Sequence, residues 1–150
     1  MRKFKVVMIT SYFDRNGVTS QVMNYATNLD KDRFQVFIAA GEPYDIGYEK
    51  MCQENNIELC KLPQKQKNAY AYYRTIYSYL KKVKADIVHV HGSSTLIAVE
   101  LLIAMLAGVP VRVSHSHNTI CSHPLLHQVL KPILKVVSNY VDVVAMRHPK

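Results

Sequence analysis

Cysteine is scarce in this 150-residue chain: Cys52, Cys60 and Cys121 are odd in number, scattered, and include no Cys-x-x-Cys pair. A disulfide framework and a zinc ribbon are therefore not indicated, and a reducing cytoplasm fits best. Glycine is sparse where a nucleotide fold would use it. Gly17 is the only glycine before Gly41, so the Gly-x-Gly-x-x-Gly dinucleotide fingerprint is missing. No apolar run can span a bilayer: the longest, 96–107, has 12 residues and contains Glu100, against about 20 needed. The amino terminus enters only a short apolar run broken by Thr10, Ser11 and Asp14, too brief for a signal-peptide core. Repeats, low-complexity tracts and linkers are also lacking, and no acidic residue occurs between Glu100 and Asp142.

What remains is an ordinary globular composition, with 49% hydrophobic and 20% charged residues. A chain of this length forms one domain and removes roughly 70% of its unfolded surface from water. Nineteen Lys and Arg against eleven Asp and Glu give a net charge of +8. That balance favours anionic partners: nucleic acid, phosphorylated small molecules or an anionic membrane surface.

Apolar, β-branched runs alternate with helical stripes along the chain. Residues 4–10 (FKVVMIT) read as a strand covered on both faces. A polar loop (SYFDRNG) leads into a helical stripe of Val18, Val22, Met23, Ala26 and Leu29, with Asn16 placed to cap its start. Further strands are expected at 34–40, 57–62, 86–91, 111–116 and 141–146. Helices are expected at 46–55, 69–84, 95–107 and 124–140, the last interrupted at Pro132. The alternation predicts an α/β fold, a doubly wound, mostly parallel Rossmann-like sheet with helices on both faces.

In such sheets ligands lie beyond the carboxyl ends of the strands. After the first strand, Asn16, Gly17 and Val18 open a helix, where free N–H groups and the positive dipole end suit a phosphate. The fourth strand ends in His89, Val90, His91 and Gly92, and the fifth in His115, Ser116, His117 and Asn118. Two-residue spacing puts both histidines of each pair on one face. These imidazoles suit a polar substrate pocket or, with His123 and His127 downstream, a metal centre. The bland alternative is a satisfied structural histidine, for which His89 is the first choice; His91 and His117, nearer the strand tips, are the better candidates for function. No metal site is assigned, because the nearby sequence offers no carboxylate ligand.

Between Lys61 and Lys84 lie seven basic residues and no acid, interleaved with tyrosines. Helical spacing assigns Tyr73, Ile76, Tyr77, Leu80 and Val83 to the core and Tyr72, Tyr79, Arg74, Lys81, Lys82 and Lys84 to the outer face. Arg74, Lys81, Lys82 and Lys84 are thus candidates for contact with an anionic membrane surface. Nucleic acid is not expected, since no nucleic-acid motif accompanies the basic run. The segment 125–137 (LLHQVLKPILKVV) adds Lys131 and Lys135 to apolar helix.

The stretches NGVTSQVMNYATNLDKDRFQVFIAAG, ADIVHVHGS and AGVPVRVSHSHNT, spread over essentially the whole chain, resemble the amino-terminal domain of the GT-B fold, family-four retaining glycosyltransferases, especially those of bacterial capsule and exopolysaccharide assembly. The resemblance implies an acceptor-binding domain, 1–150, facing a second, nucleotide-sugar-binding domain that this sequence does not contain. It implies a UDP- or GDP-sugar donor as co-substrate, no tightly bound cofactor, no obligatory metal, and a saccharide or lipid-linked saccharide acceptor. By motif, His117 matches the active-site histidine near the transferred sugar, with His115 as second choice. Gly17 matches the glycine loop that approaches the donor diphosphate, although Asn16 stands where the family usually has a second glycine. His91 and Gly92 would line the acceptor side. The expected setting is cytoplasmic and peripheral to the inner face of the cell membrane, and the chain alone would be inactive or very weak. From another class, the alternative is a non-catalytic module that binds a phosphorylated ligand or a partner protein.

Overall fold

The computed structural model describes residues 2–92, 97–117, 124–138 and 140–142. In chain order the elements are β1 (Phe4–Thr10), α1 (Gly17–Asn28), β2 (Phe34–Gly41), α2 (Ile46–Glu54), β3 (Glu58–Leu62), α3 (Ala69–Val83), β4 (Ile87–Gly92), α4 (Ala98–Leu106), β5 (Val111–Ser116), α5 (Pro124–Val137) and β6 (Tyr140–Asp142). Six parallel strands form one sheet in the order β3-β2-β1-β4-β5-β6. The order reverses between β1 and β4, which places a crevice above their carboxyl ends.

Helices cover both faces, as the unbroken apolar strands require. On one face α1 and α2 bury Val6, Met8, Val36, Ile38 and Ile57 together with Val22, Met23 and Cys52. On the other, α3 and α4 cover Val7, Ile9, Phe37, Val88 and Val90 with Tyr72, Ile76, Leu80 and Leu101. Burial pushes the Cys52 thiol, with Glu49 adding to it, up to about 11. That thiol behaves as a small apolar side chain.

Local signals set the helix ends. Asn16, Asp45 and Asn68 each accept a backbone N–H three residues on, capping α1, α2 and α3. Lys84 ends α3 in the left-handed conformation, while Lys81 and Lys82 lie in its last turn, where the helix dipole favours cations.

Two expectations are corrected. The buried stripe of α3 runs through Tyr72, Ile76, Tyr79, Leu80 and Val83, so Tyr72 and Tyr79 face the core while Tyr77 is exposed. With tyrosine at five positions of one helix, apolar content alone does not distinguish the two stripes. Second, α5 runs through Pro132 without a break. Pro132 and Gln128 are both exposed, so the Gln128 carbonyl that proline leaves without a donor faces water. Helix α4 is seen at Ala98–Leu106, and the expected start at Thr95 lies outside the described residues. The expected sixth strand is seen at Tyr140–Asp142, and positions 143–146 also lie outside them.

Candidate functional site

The loop after β1 is held from two sides. Phe13 N–H donates to the Pro43 carbonyl at 3.1 Å and Asp45 N–H donates to the Phe13 carbonyl at 2.8 Å, tying it to the loop after β2. The hydroxyls of Thr10 and Thr19 both donate to the Tyr12 carbonyl, at 3.3 and 3.2 Å. Gly41 lets the β2 end pass close by, because a Cβ there would collide with the Ser11 carbonyl oxygen.

Asn16 Oδ1 accepts the Thr19 N–H at 2.8 Å, and the first helical bond runs from Ser20 N–H to the Asn16 carbonyl. The N–H groups of Gly17 and Val18 precede that bond, at the positive end of α1, whose first turn has no acid. A Cβ on Gly17 would meet nothing within 4 Å. Packing does not demand glycine at this position, and the space it leaves open belongs to a cavity.

That cavity, about 570 Å³, lies at the carboxyl ends of β1, β4 and β5. It brings together six residues expected at a site: Asn16, Gly17, Val18, His91, Gly92 and His117. Thr10, Ser11 and Tyr12 complete the lining and were not anticipated. Ser11 and Tyr12 open the polar SYFDRNG loop and Thr10 ends β1, at the carboxyl edge where such sheets bind ligands. Among the described residues the wall carries no carboxylate, so none of them repels a phosphate or a sugar-diphosphate.

Behind the wall the two histidine pairs share a face, as their spacing requires. On β4, His89 and His91 turn toward α1, while Val88 and Val90 join the core under α3 and α4. In the β4–β5 ladder His91 stands opposite His115. His89 Nε2 lies 3.3 Å from His115 Nδ1, and His91 Nδ1 lies 3.1 Å from His117 Nε2. The rings stack, His91 on His115 at 4.8 Å and His115 on His117 at 4.4 Å between centroids. Burial, reinforced by His89, His115 and His117, holds the His91 imidazole far below its ordinary value, so it is neutral at physiological pH.

Three site expectations change. His115 is buried and absent from the cavity wall, lying behind His91 and His117 as a packing partner. His89, first choice as a buried structural histidine, is less buried than His91 and His115. A carboxylate-free stretch of sequence does not preclude a ligand cluster, because His89, His91 and His115 place one ring nitrogen each within 4.8 Å of one another. Asn118 and the side chains of His123 and His127 lie outside the described residues.

The opposite face holds a feature absent from the expectations. Glu100, 3% exposed, accepts from Lys65 Nζ at 2.7 Å. The Lys65 ammonium also lies 5.6 and 5.2 Å from the ring centroids of Tyr72 and Tyr73. Burial lowers the lysine's pKa, but Glu100 and Tyr73 together outweigh it and the net shift is upward. The neighbouring Gln66 donates from Nε2 to the Tyr12 hydroxyl at 2.6 Å, linking this cluster to the cavity wall.

Arg74, Lys81, Lys82 and Lys84 are all exposed on α3. On α5, Leu125, Val129 and Val136 are exposed beside Lys131 and Lys135. Among the described residues no helix is long and apolar enough to cross a membrane.

A doubly wound parallel sheet with a carboxyl-end cavity at its switch point defines a Rossmann-like α/β domain. Comparison with known proteins gives the family: residues 15–146 match Glycosyltransferase Family 4, and the chain belongs to it. It is 30% identical over 119 residues to the Bacillus subtilis (strain 168) protein named "Putative glycosyltransferase EpsF", covering 77% of this chain and 30% of that one. Among solved structures, Acinetobacter baumannii MurG superposes with a TM-score of 0.66 at 17% identity over 92% of this chain and 40% of its own. Anabaena Alr3699/HepE, in complex with UDP, gives 0.64 at 10% identity over 92% and 37%. The chain thus spans well under half the length of these relatives.

Proposed function

We propose that the chain is the acceptor-binding part of a retaining glycosyltransferase that moves a sugar from a UDP- or GDP-sugar to a saccharide or lipid-linked saccharide in exopolysaccharide or capsule assembly. The observation that carries this reading is the single cavity wall on which the amino end of α1 meets His91 and His117. Family membership supports the transferase class. The solved complex of HepE with UDP and the kinship to EpsF favour a nucleotide-sugar donor and a surface-polysaccharide setting.

In this reading the acceptor lies against His91 and Gly92. Gly17 and Val18 direct their N–H groups at the departing diphosphate, and His117 donates a hydrogen bond near the transferred sugar. Fixed dipoles aimed at developing charge are commonly the largest catalytic contribution, and they do this work without an obligatory metal. A companion nucleotide-sugar-binding domain, in cis or in trans, holds the donor across the cleft, so this chain alone transfers little or nothing. The setting is cytoplasmic, with the exposed Arg74, Lys81, Lys82 and Lys84 against the anionic inner face of the cell membrane.

The test is transfer from UDP- and GDP-sugars to lipid-linked saccharide, with and without a supplied donor domain. Transfer only by the pair is expected, and absence of transfer by a folded pair with every donor tried contradicts the reading. Membrane attachment is tested separately with vesicles. Exchanging Lys81, Lys82 and Lys84 together for Gln should weaken binding to anionic vesicles roughly tenfold or more, and added salt should weaken it too. Equal binding to neutral vesicles rejects the electrostatic attachment.

A further inference from the structure

We propose that His89, His91 and His115 form a three-imidazole site for a borderline divalent transition-metal ion such as Zn²⁺, a site that lies behind the cavity wall and shares His91 with it. The geometry is that of a His-x-His pair on one strand completed by a histidine from the next. His89 and His91 project from the same face of β4, and His115 stands opposite His91 on β5. Each contributes a ring nitrogen within 4.8 Å of the other two. Nitrogens about 2.0–2.1 Å from a tetrahedral ion are about 3.3 Å apart. The His89 Nε2 to His115 Nδ1 separation is 3.3 Å, equal to that spacing, and an ion would take the place of the hydrogen bond the two rings now share.

The surroundings suit such an ion. His91 Nε2 is buried with no hydrogen-bond partner, a cost that coordination would remove. The Tyr25 ring lies over the same three imidazoles, 5.7, 6.0 and 5.8 Å from their centroids, and shields them. The donor set is purely nitrogen, which selects zinc, copper or nickel over magnesium and calcium. Three protein ligands leave a fourth position for water or a small anion. No step of sugar transfer runs through the ion, which would tie β4 to β5 beneath the cavity.

The test uses the untagged 150-residue chain, stripped with chelator and titrated with Zn²⁺ by calorimetry and by competition with a chromogenic chelator. One Zn²⁺ per chain is expected. His89→Gln and His115→Gln should each weaken binding about hundredfold or more, since loss of a mere outer-shell partner already costs 10–100-fold. His117→Gln, which removes only the outer-shell partner of His91 Nδ1, should weaken binding less than either ligand exchange, by no more than about 10–100-fold. Far-UV circular dichroism and thermal unfolding establish that the variants are folded. On the unaltered chain, Co²⁺ should give the visible absorption of a tetrahedral site without a thiolate charge-transfer band, a readout independent of any variant. Absence of stoichiometric binding overturns the proposal, as does a thiolate band, undiminished binding by His89→Gln and His115→Gln, or loss on His123→Gln or His127→Gln instead. The assay involves no glycosyl transfer, so its failure leaves the transferase reading standing.

Discussion

The two faces of β4 bury polar chemistry in opposite ways. Toward α3 and α4 the strand presents Val88 and Val90 to an apolar core, in which Glu100 is paired with Lys65. Toward α1 it presents His89 and His91, which with His115 and His117 form a stack of imidazoles ending at a cavity. A largely buried ion pair contributes mainly when broken, and here Glu100 Oε2 stays buried without a hydrogen-bond partner. Imidazoles can still exchange partners, accept protons or bind ligands. Burial of a polar group is therefore no guide to its use. What separates the two clusters is that one lines open space at the topological switch point and the other does not.

Breaking each side should give different readouts. The largest effect is expected from His117→Ala, measured with a donor domain supplied: kcat/KM should fall by roughly 10²–10³, with the urea midpoint nearly unchanged. A loss below tenfold would remove His117 from the reacting centre. On the face toward α3 and α4, Lys65→Met leaves Glu100 buried without its cation, and unfolding in urea should show a loss of about 3 kcal/mol. A loss under about 1 kcal/mol would make the pair incidental. The smallest effect concerns pH in metal-free protein. Unfolded His91 takes up a proton near its ordinary value of 6.5, whereas folded His91 resists it. The unfolded state then binds more protons, so stability is full above that pH and declines below it, by up to about 1.4 kcal/mol per pH unit. His91→Gln should flatten that slope between pH 6.5 and 5, and an unchanged slope would assign acid sensitivity elsewhere.

Much of this arrangement was legible beforehand. Strand alternation, the caps at Asn16 and the convergence of Gly17, His91 and His117 follow from rules that act along the chain: period-two side-chain direction, helix-start chemistry and the location of ligands in open sheets. Residues whose placement depends on three-dimensional packing were not. Tyr72 and Tyr79 exchanged faces with Tyr77 because a tyrosine-rich helix offers two similar stripes, and only contact with β2, β3 and α4 selects between them. The Lys65–Glu100 pair joins positions 35 residues apart in sequence, with no local signal to connect them. The ring-to-ring distances among the histidines depend on the β4–β5 register, which spacing within each strand does not reveal.

The most direct test of the cavity's role is Gly17→Leu, assayed for transfer with the donor domain supplied and for unfolding in parallel. Since a Cβ at this position meets no neighbour, the fold should tolerate the side chain, leaving the urea midpoint unchanged or slightly raised. The cavity should not tolerate it: transfer is expected to fall by about hundredfold or more as the ligand is displaced. Undiminished transfer by a normally stable Gly17→Leu chain would mean that the chemistry takes place elsewhere.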